Sequence, residues 1–366
     1  MKKNKTLLLV LMLIFVSLTF AGCRGTGAVA SSWPGITVDG DTAYVAYNAS
    51  IYTIDLSQRG NLERTAPTND KDLRGHTFFH APVLLGDQTL LVGSYKNSMY
   101  TIDSSGAATE FFAEAKNRWI ATPLKTENAI YAPNANGTLY ALDFDGSVIW
   151  EFPTEAAIWA TPVKDNGSLY VVSQDHIMYK LDADSGEQVW ALDLGASSVN
   201  SPALDDNGIL YIGTFNSELL AVDSKLGKII WHLNTNDWVW GSPTLGPDNT
   251  LFVTDLGGNL YAVDTEAGKF LWEKEVDAET SIAGSVLIVN DSLFVVTSNG
   301  AIVSYGLDGE RLWKENIGSE DNPVEFYGTP ILAGEDLILV SSTGSDNLVY
   351  AFNTQLETQW TFEPGK

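Results

Sequence analysis

Few residues of this 366-residue chain are placed for catalysis. It has four histidines and one cysteine. His76 and His80 stand four apart, as on one face of a helix, but they lead into a strand and predict no shared metal. His176 and His232 are isolated and read as packed or solvated side chains. There is no His-Glu-x-x-His, no Gly-x-Ser-x-Gly and no phosphate-cradling glycine loop. Acidic turns such as Asp205-Asp206-Asn207-Gly208 gather oxygen ligands, yet they lack the spacing of a helix-flanked calcium loop and read as hairpin turns. No catalytic and no metal-binding residue is assigned.

Aromatic residues carry more information. They accumulate just before a series of prolines, as Phe78 and Phe79, Trp119, Trp159, Trp238 and Trp240, Phe326 and Tyr327. Phe79, Trp159, Trp240 and Tyr327 each stand three residues before a proline. If these prolines recur around a ring, the aromatics converge near the mouth of its axial channel. Phe79, Trp119, Trp159, Trp240 and Tyr327 are therefore the candidate binding residues. An aromatic-lined mouth suits an extended peptide, a sugar or a flat ring. The alternative is that these side chains plug the channel or pack between inner strands.

The prolines belong to a repeat. Its clearest copy runs Ala160-Thr161-Pro162, Ser168 to Val172, Met178 to Asp182 and Gly186 to Trp190. The same order recurs from Pro123, Pro202 and Pro243, and more weakly from Pro34, Pro82 and Pro330, with Ser285 in the proline's place in one further copy. Trp150, Trp190, Trp231, Trp272 and Trp313 close successive copies 40 or 41 residues apart, and Trp360 closes the last. Each copy reads as four short strands joined by turns such as Asp145-Gly146, Asp165-Asn166-Gly167 and Asp308-Gly309. Proline cannot donate to a ladder, so a proline at each innermost strand fits an edge that faces a channel. Four strands in a period of about 41 residues mark a propeller blade. One blade cannot bury both faces, but a closed ring can. The expected fold is all-β: an eight-bladed β-propeller of four-stranded antiparallel blades over residues 33–366. The six closing tryptophans are predicted to pack between neighbouring blades.

The N-terminus reads as an address. Lys2, Lys3 and Lys5 precede an apolar run from Leu7 to Phe20, shorter than the roughly 20 residues of a spanning helix. Phe20-Ala21-Gly22-Cys23 resembles the bacterial lipobox, with phenylalanine where leucine is usual. The resemblance implies a lipoprotein signal peptide over residues 1–22, a diacylated Cys23 and a flexible tether over 23–32. It places the propeller outside the cytoplasm, anchored to a bacterial membrane by lipid alone, and to the outer membrane if the host has one. The formal net charge of -25 repels phosphates and anionic headgroups, which argues against nucleic acid as a partner.

The unit Ala141-x-Asp143-x-x-Gly146-x-x-x-Trp150 resembles the tryptophan-docking motif of PQQ-like propellers. Ala221, Asp223, Gly227 and Trp231 repeat it with one residue inserted, as do Ala262, Asp264, Gly268 and Trp272. The resemblance covers essentially all of residues 33–362 and specifies fold rather than function. Within that family the quinoprotein dehydrogenases hold PQQ and calcium, whereas the BamB-like lipoproteins of outer-membrane barrel assembly are scaffolds without catalysis. Many of the dehydrogenases use a vicinal cysteine pair, and this chain has one cysteine. PQQ is a tricarboxylate, yet Arg118 is the only basic residue within five positions before an anchor. The resemblance thus implies a non-enzymatic lipoprotein scaffold without a cofactor, with envelope proteins such as an assembling β-barrel chain as partners. A PQQ- and calcium-dependent dehydrogenase and a glycan-binding surface lipoprotein are the alternatives.

Overall fold

The computed structural model describes residues 33–365, apart from 69–72, 74, 75, 278 and 320–322. Cys23, the signal peptide and the tether lie outside the described residues. Those described form thirty-two strands and no helix. Each run of four consecutive strands makes one antiparallel sheet, which gives the eight predicted blades. Blade 1 runs from β1 (Gly35–Asp39) to β4 (Asn61–Ala66), and blade 2 from β5 (Val83–Gly86) to β8 (Ala108–Phe112). Blade 3 spans β9 (Leu124–Lys125) to β12 (Val148–Pro153), and blade 4 β13 (Val163–Asp165) to β16 (Gln188–Asp193). Blade 5 spans β17 (Ala203–Leu204) to β20 (Lys228–Asn234), and blade 6 β21 (Thr244–Leu245) to β24 (Lys269–Glu275). Blade 7 spans β25 (Leu287–Val289) to β28 (Arg311–Asn316), and blade 8 β29 (Ile331–Ala333) to β32 (Thr358–Phe362).

Sequence explains the layering within a blade. The third strand of blade 6, Asn259–Asp264, is apolar at most positions and buried on both faces, whereas the outermost strand β24 alternates exposed and half-buried residues. Apolar faces of neighbouring sheets then meet, and one hydrophobic cluster fills each blade interface. Between blades 6 and 7, for example, Phe252, Leu260 and Ala262 pack on Leu293, Val295, Val303 and Tyr305.

The inner strand of every blade begins immediately after the anchor residue. In blade 7 it begins at Leu287, so Val286, not Ser285, holds the place of the proline. Ser285 matches the residue before the anchor. Its backbone N–H donates to Thr329 Oγ1 at 2.9 Å, as that of Ser201 does to Ser242 Oγ at 3.0 Å.

Among the described residues no strand is shared between the first and last blades. The ring closes through side chains: Ile36, Val45 and Ile54 of blade 1 pack on Leu339, Val349 and Phe362 of blade 8. Ser341 Oγ adds a hydrogen bond of 2.9 Å to the Pro34 carbonyl.

Candidate functional site

The segments that precede the anchors alternate in direction. Residues four before the anchor are wedges between blades: Phe78, Trp119, Ile158, Val239, Ile282 and Phe326 are each at most 1% exposed. Residues three before the anchor are half-buried, among them Phe79, Trp159, Trp240 and Tyr327. This corrects the expectation for Trp119. It stands four residues before Pro123, is 0% exposed, packs with Phe112 and Tyr140, and donates its indole N–H to the Asn97 carbonyl at 3.0 Å. It is a core residue and not part of a mouth.

Phe79, Trp240 and Tyr327 do meet, around a residue outside the predicted set. Trp33 stacks on Tyr327 at 5.4 Å between ring centroids and lies 6.1 Å from Phe79 and 6.0 Å from Trp240. These three partners lead into blades 8, 2 and 6. Blades 2 and 6 are opposite in a ring of eight, so one ring that touches both lies on the axis. Trp33 therefore crosses the channel, and at 37% exposure it still shows one face to solvent. Trp33 directly precedes the first anchor, Pro34, an offset that its three partners do not share.

A second layer flanks this group. Tyr95 lies 5.1 Å from Phe79, and the Arg118 guanidinium sits 5.2 Å over the Tyr95 ring. On the other side Phe215 stacks on both Trp238, at 5.2 Å, and Trp240, at 5.4 Å. Burial, with the nearby Glu325 carboxylate, pushes the Tyr327 phenol up to about 12, so it is neutral at ordinary pH. Trp159 makes none of these ring contacts; its Nε1 is buried without an acceptor among the described residues.

His80 and Asn200 stand two before their anchors and share one job. His80 Nε2 accepts the Gly93 N–H at 3.2 Å while Nδ1 faces the Ala81 carbonyl at 2.9 Å. Asn200 Oδ1 accepts the Gly213 N–H at 3.3 Å and its Nδ2 donates to the Gly213 and Val239 carbonyls. Burial pulls His80 down to about 4. His76 packs edge-on against Tyr100 at 5.4 Å and is likewise lowered by burial. Among the described residues no group of three or more His, Cys, Asp or Glu is placed to hold a metal. The axis holds the Trp33 indole, and Arg118, the one basic residue within five positions before an anchor, lies over Tyr95.

The closing tryptophans follow a second rule. In the last turn of each blade stands a residue with positive φ, and in seven blades it is glycine: Gly60, Gly106, Gly146, Gly186, Gly227, Gly268 and Gly309. At five of them, Gly60, Gly186, Gly227, Gly268 and Gly309, glycine is required twice over, by the left-handed backbone and by the indole pressed against it. A Cβ on Gly186 would lie 2.6 Å from the Trp150 ring, one on Gly227 2.7 Å from Trp190, one on Gly268 2.6 Å from Trp231 and one on Gly309 2.8 Å from Trp272. Each of these indoles donates to a carbonyl of the same turn: Ala183 at 3.1 Å, Ser224 at 3.1 Å, Thr265 at 2.9 Å and Leu307 at 2.9 Å. Trp360 lies against Gly60 and so ties blade 8 to blade 1. At Gly106 the place is taken by Arg64, whose guanidinium donates to the Ser104 carbonyl, and at Gly146 by the Phe111 backbone.

Trp313 is the exception. The corresponding residue of blade 8 is Leu356, at φ 62° and 3% exposed, packed into the core between blades 7 and 8. Its side chain fills the seat, and Trp313 is left 52% exposed. The expectation that Trp313 packs between blades is thereby overturned.

An all-β ring of eight four-stranded blades, locked by indole-on-glycine contacts, defines a PQQ-like β-propeller. A family model described as outer membrane protein assembly factor BamB matches residues 112–238 and again residues 216–355, and the chain belongs to that family. The solved structure of BamB from Moraxella catarrhalis superposes with a TM-score of 0.68 at 13% identity, covering 86% of this chain and 95% of that one. The computationally designed Ika8 protein superposes with a TM-score of 0.71 at 14% identity, covering 88% of this chain and 96% of that one. At such identities the likeness is one of fold. No curated protein matches the sequence.

Proposed function

We propose that the chain is a non-catalytic interaction scaffold, held by a lipid on Cys23 at the outer face of a bacterial membrane. Residues 1–22 are its signal peptide, 23–32 its tether and 33–366 its propeller. The observation that carries this reading is the filled axis. In a propeller enzyme the reactive group sits in the channel, whereas here Trp33, Phe79, Trp240 and Tyr327 occupy it. What remains accessible is the loop faces and the outer strand edges, which suit docking of other proteins. Membership of the BamB family supports outer-membrane protein assembly as the setting, with barrel-assembly components or their client chains as partners. The charge of -25 favours partners with basic surfaces and disfavours nucleic acid.

Quantitative pull-downs from solubilised envelope, with and without the propeller, test this reading. Specific enrichment of envelope proteins is expected, and identical recoveries refute the scaffold. Cys23→Ala is expected to move the protein from the membrane to the soluble fraction. The competing enzyme reading is tested by calorimetric titration of PQQ with excess calcium, where tight one-to-one binding would replace the scaffold with a quinoprotein.

A further inference from the structure

Trp313, 52% exposed, stands on β28, the outermost strand of blade 7, beside Leu312, which is exposed as the residue before the closing tryptophan is in blades 3 to 6. The sheet ends there, so among the described residues no strand pairs with the outward edge of β28. Two departures from the ring's pattern meet at this edge. One large indole is outside the core, and the glycine that would receive it is a leucine in a left-handed conformation. Neither favours folding, so both point to a use for the exposed indole.

The two faces of β28 differ in charge. Lys314 pairs with Val303 and bridges Asp277 at 2.9 Å; a bulge leaves Leu312 unpaired and breaks the alternation, so Arg311 pairs with Tyr305, and Val303 and Tyr305 both pack toward blade 6. Glu315 pairs with Ile302, which packs toward blade 8, and Trp313 is two residues from it along the strand. Glu357 stands exposed in the blade 8 turn that carries Leu356. The side of β28 that shows Trp313 is thus acidic, with both cations of the strand turned away.

We propose that β28 is a docking edge for an extended segment of a partner protein, one that alternates apolar and basic residues and adds as a further strand. This rests on the scaffold reading and names its contact. Edge amides and carbonyls supply backbone pairing, Trp313 supplies the anchor, and Glu315 and Glu357 select lysine or arginine, which also stack on an indole. A second copy of the chain is disfavoured as occupant, because it brings the same carboxylates to the same edge.

The test is fluorescence anisotropy of the full chain with a labelled synthetic peptide of alternating valine and lysine. Binding is expected to weaken with salt. Trp313→Ala is expected to reduce affinity about tenfold or more. Leu356→Gly keeps the indole but opens its seat, and is expected to reduce affinity to a similar degree. A valine–glutamate peptide, and a valine–lysine peptide N-methylated at alternate amides, are expected not to bind. Equal affinity of the folded Trp313→Ala protein overturns the proposal. So does a concentration-dependent dimer, seen by sedimentation, that Trp313→Ala abolishes and the peptide does not displace. If the envelope pull-downs still depend on the propeller in either case, the docking edge has failed and the scaffold stands; if they do not, the scaffold itself has failed.

Discussion

Gly227→Leu would copy into blade 5 the arrangement native to blade 8. The new side chain meets the Trp190 ring, since even a Cβ at this position lies 2.7 Å from it. Evicting the indole breaks its 3.1 Å hydrogen bond to the Ser224 carbonyl, a loss of about 1 kcal/mol. Returning a half-buried indole to water costs about 2 kcal/mol. A leucine at φ 61° adds about 1–2 kcal/mol of backbone strain. If the leucine buries itself as Leu356 does, it recovers about 1–2 kcal/mol, which leaves a net loss of about 3 kcal/mol. Guanidinium unfolding followed by circular dichroism measures the loss, and acrylamide quenching counts the newly exposed tryptophan. Wild-type stability together with unchanged quenching would refute the idea that the seat glycines hold the indoles in place.

Two further outcomes are expected. His80 is held neutral by burial, so between its ordinary value and about 4 the unfolded chain binds a proton that the folded chain does not; stability falls by about 3 kcal/mol as pH drops from about 6.5 to about 4. His80→Asn, which copies the hydrogen bonds of Asn200, should flatten that slope in denaturant melts at neutral and acid pH. Gly213→Ala drives a methyl group into the Val239 side chain and should cost about 2 kcal/mol, with Val239→Ala in the double mutant returning part of it, as a thermodynamic cycle by urea unfolding would show.

Blade number and strand order were legible because the closing tryptophans and anchor prolines recur at a fixed period, and that period is a property of the chain. Contacts between repeats were less legible. Trp119 and Trp159 look alike as tryptophans before a proline, but an offset of four puts Trp119 in the core, whereas at an offset of three Phe79, Trp240 and Tyr327 gather around Trp33 and Trp159 stays half-buried apart from them. One residue reverses the face, as along any extended segment. Trp33 escaped the pattern because it reaches the axis from a different offset and is recognised only when three blades are seen to converge on it. Blade 7 lacks the proline that marks the register elsewhere, so nothing in its sequence distinguishes Val286 from Ser285 as the anchor. Trp313 carries the same local sequence signals as its docked counterparts. Its exposure is decided by Leu356 in the next blade, where a sidechain stands in a site that is glycine in every other blade.

The way the ring is closed bears on how such a chain changes over time. Among the described residues the ends meet through side-chain packing and the Ser341–Pro34 hydrogen bond, and every blade is continuous in sequence. The boundaries of the coding unit coincide with those of the structural unit. A tandem duplication or deletion of one unit therefore adds or removes a whole blade, with no half-blades left to be matched across the ends. The same continuity means that new termini opened in any connection between blades, with the old ends joined, leave all eight sheets intact.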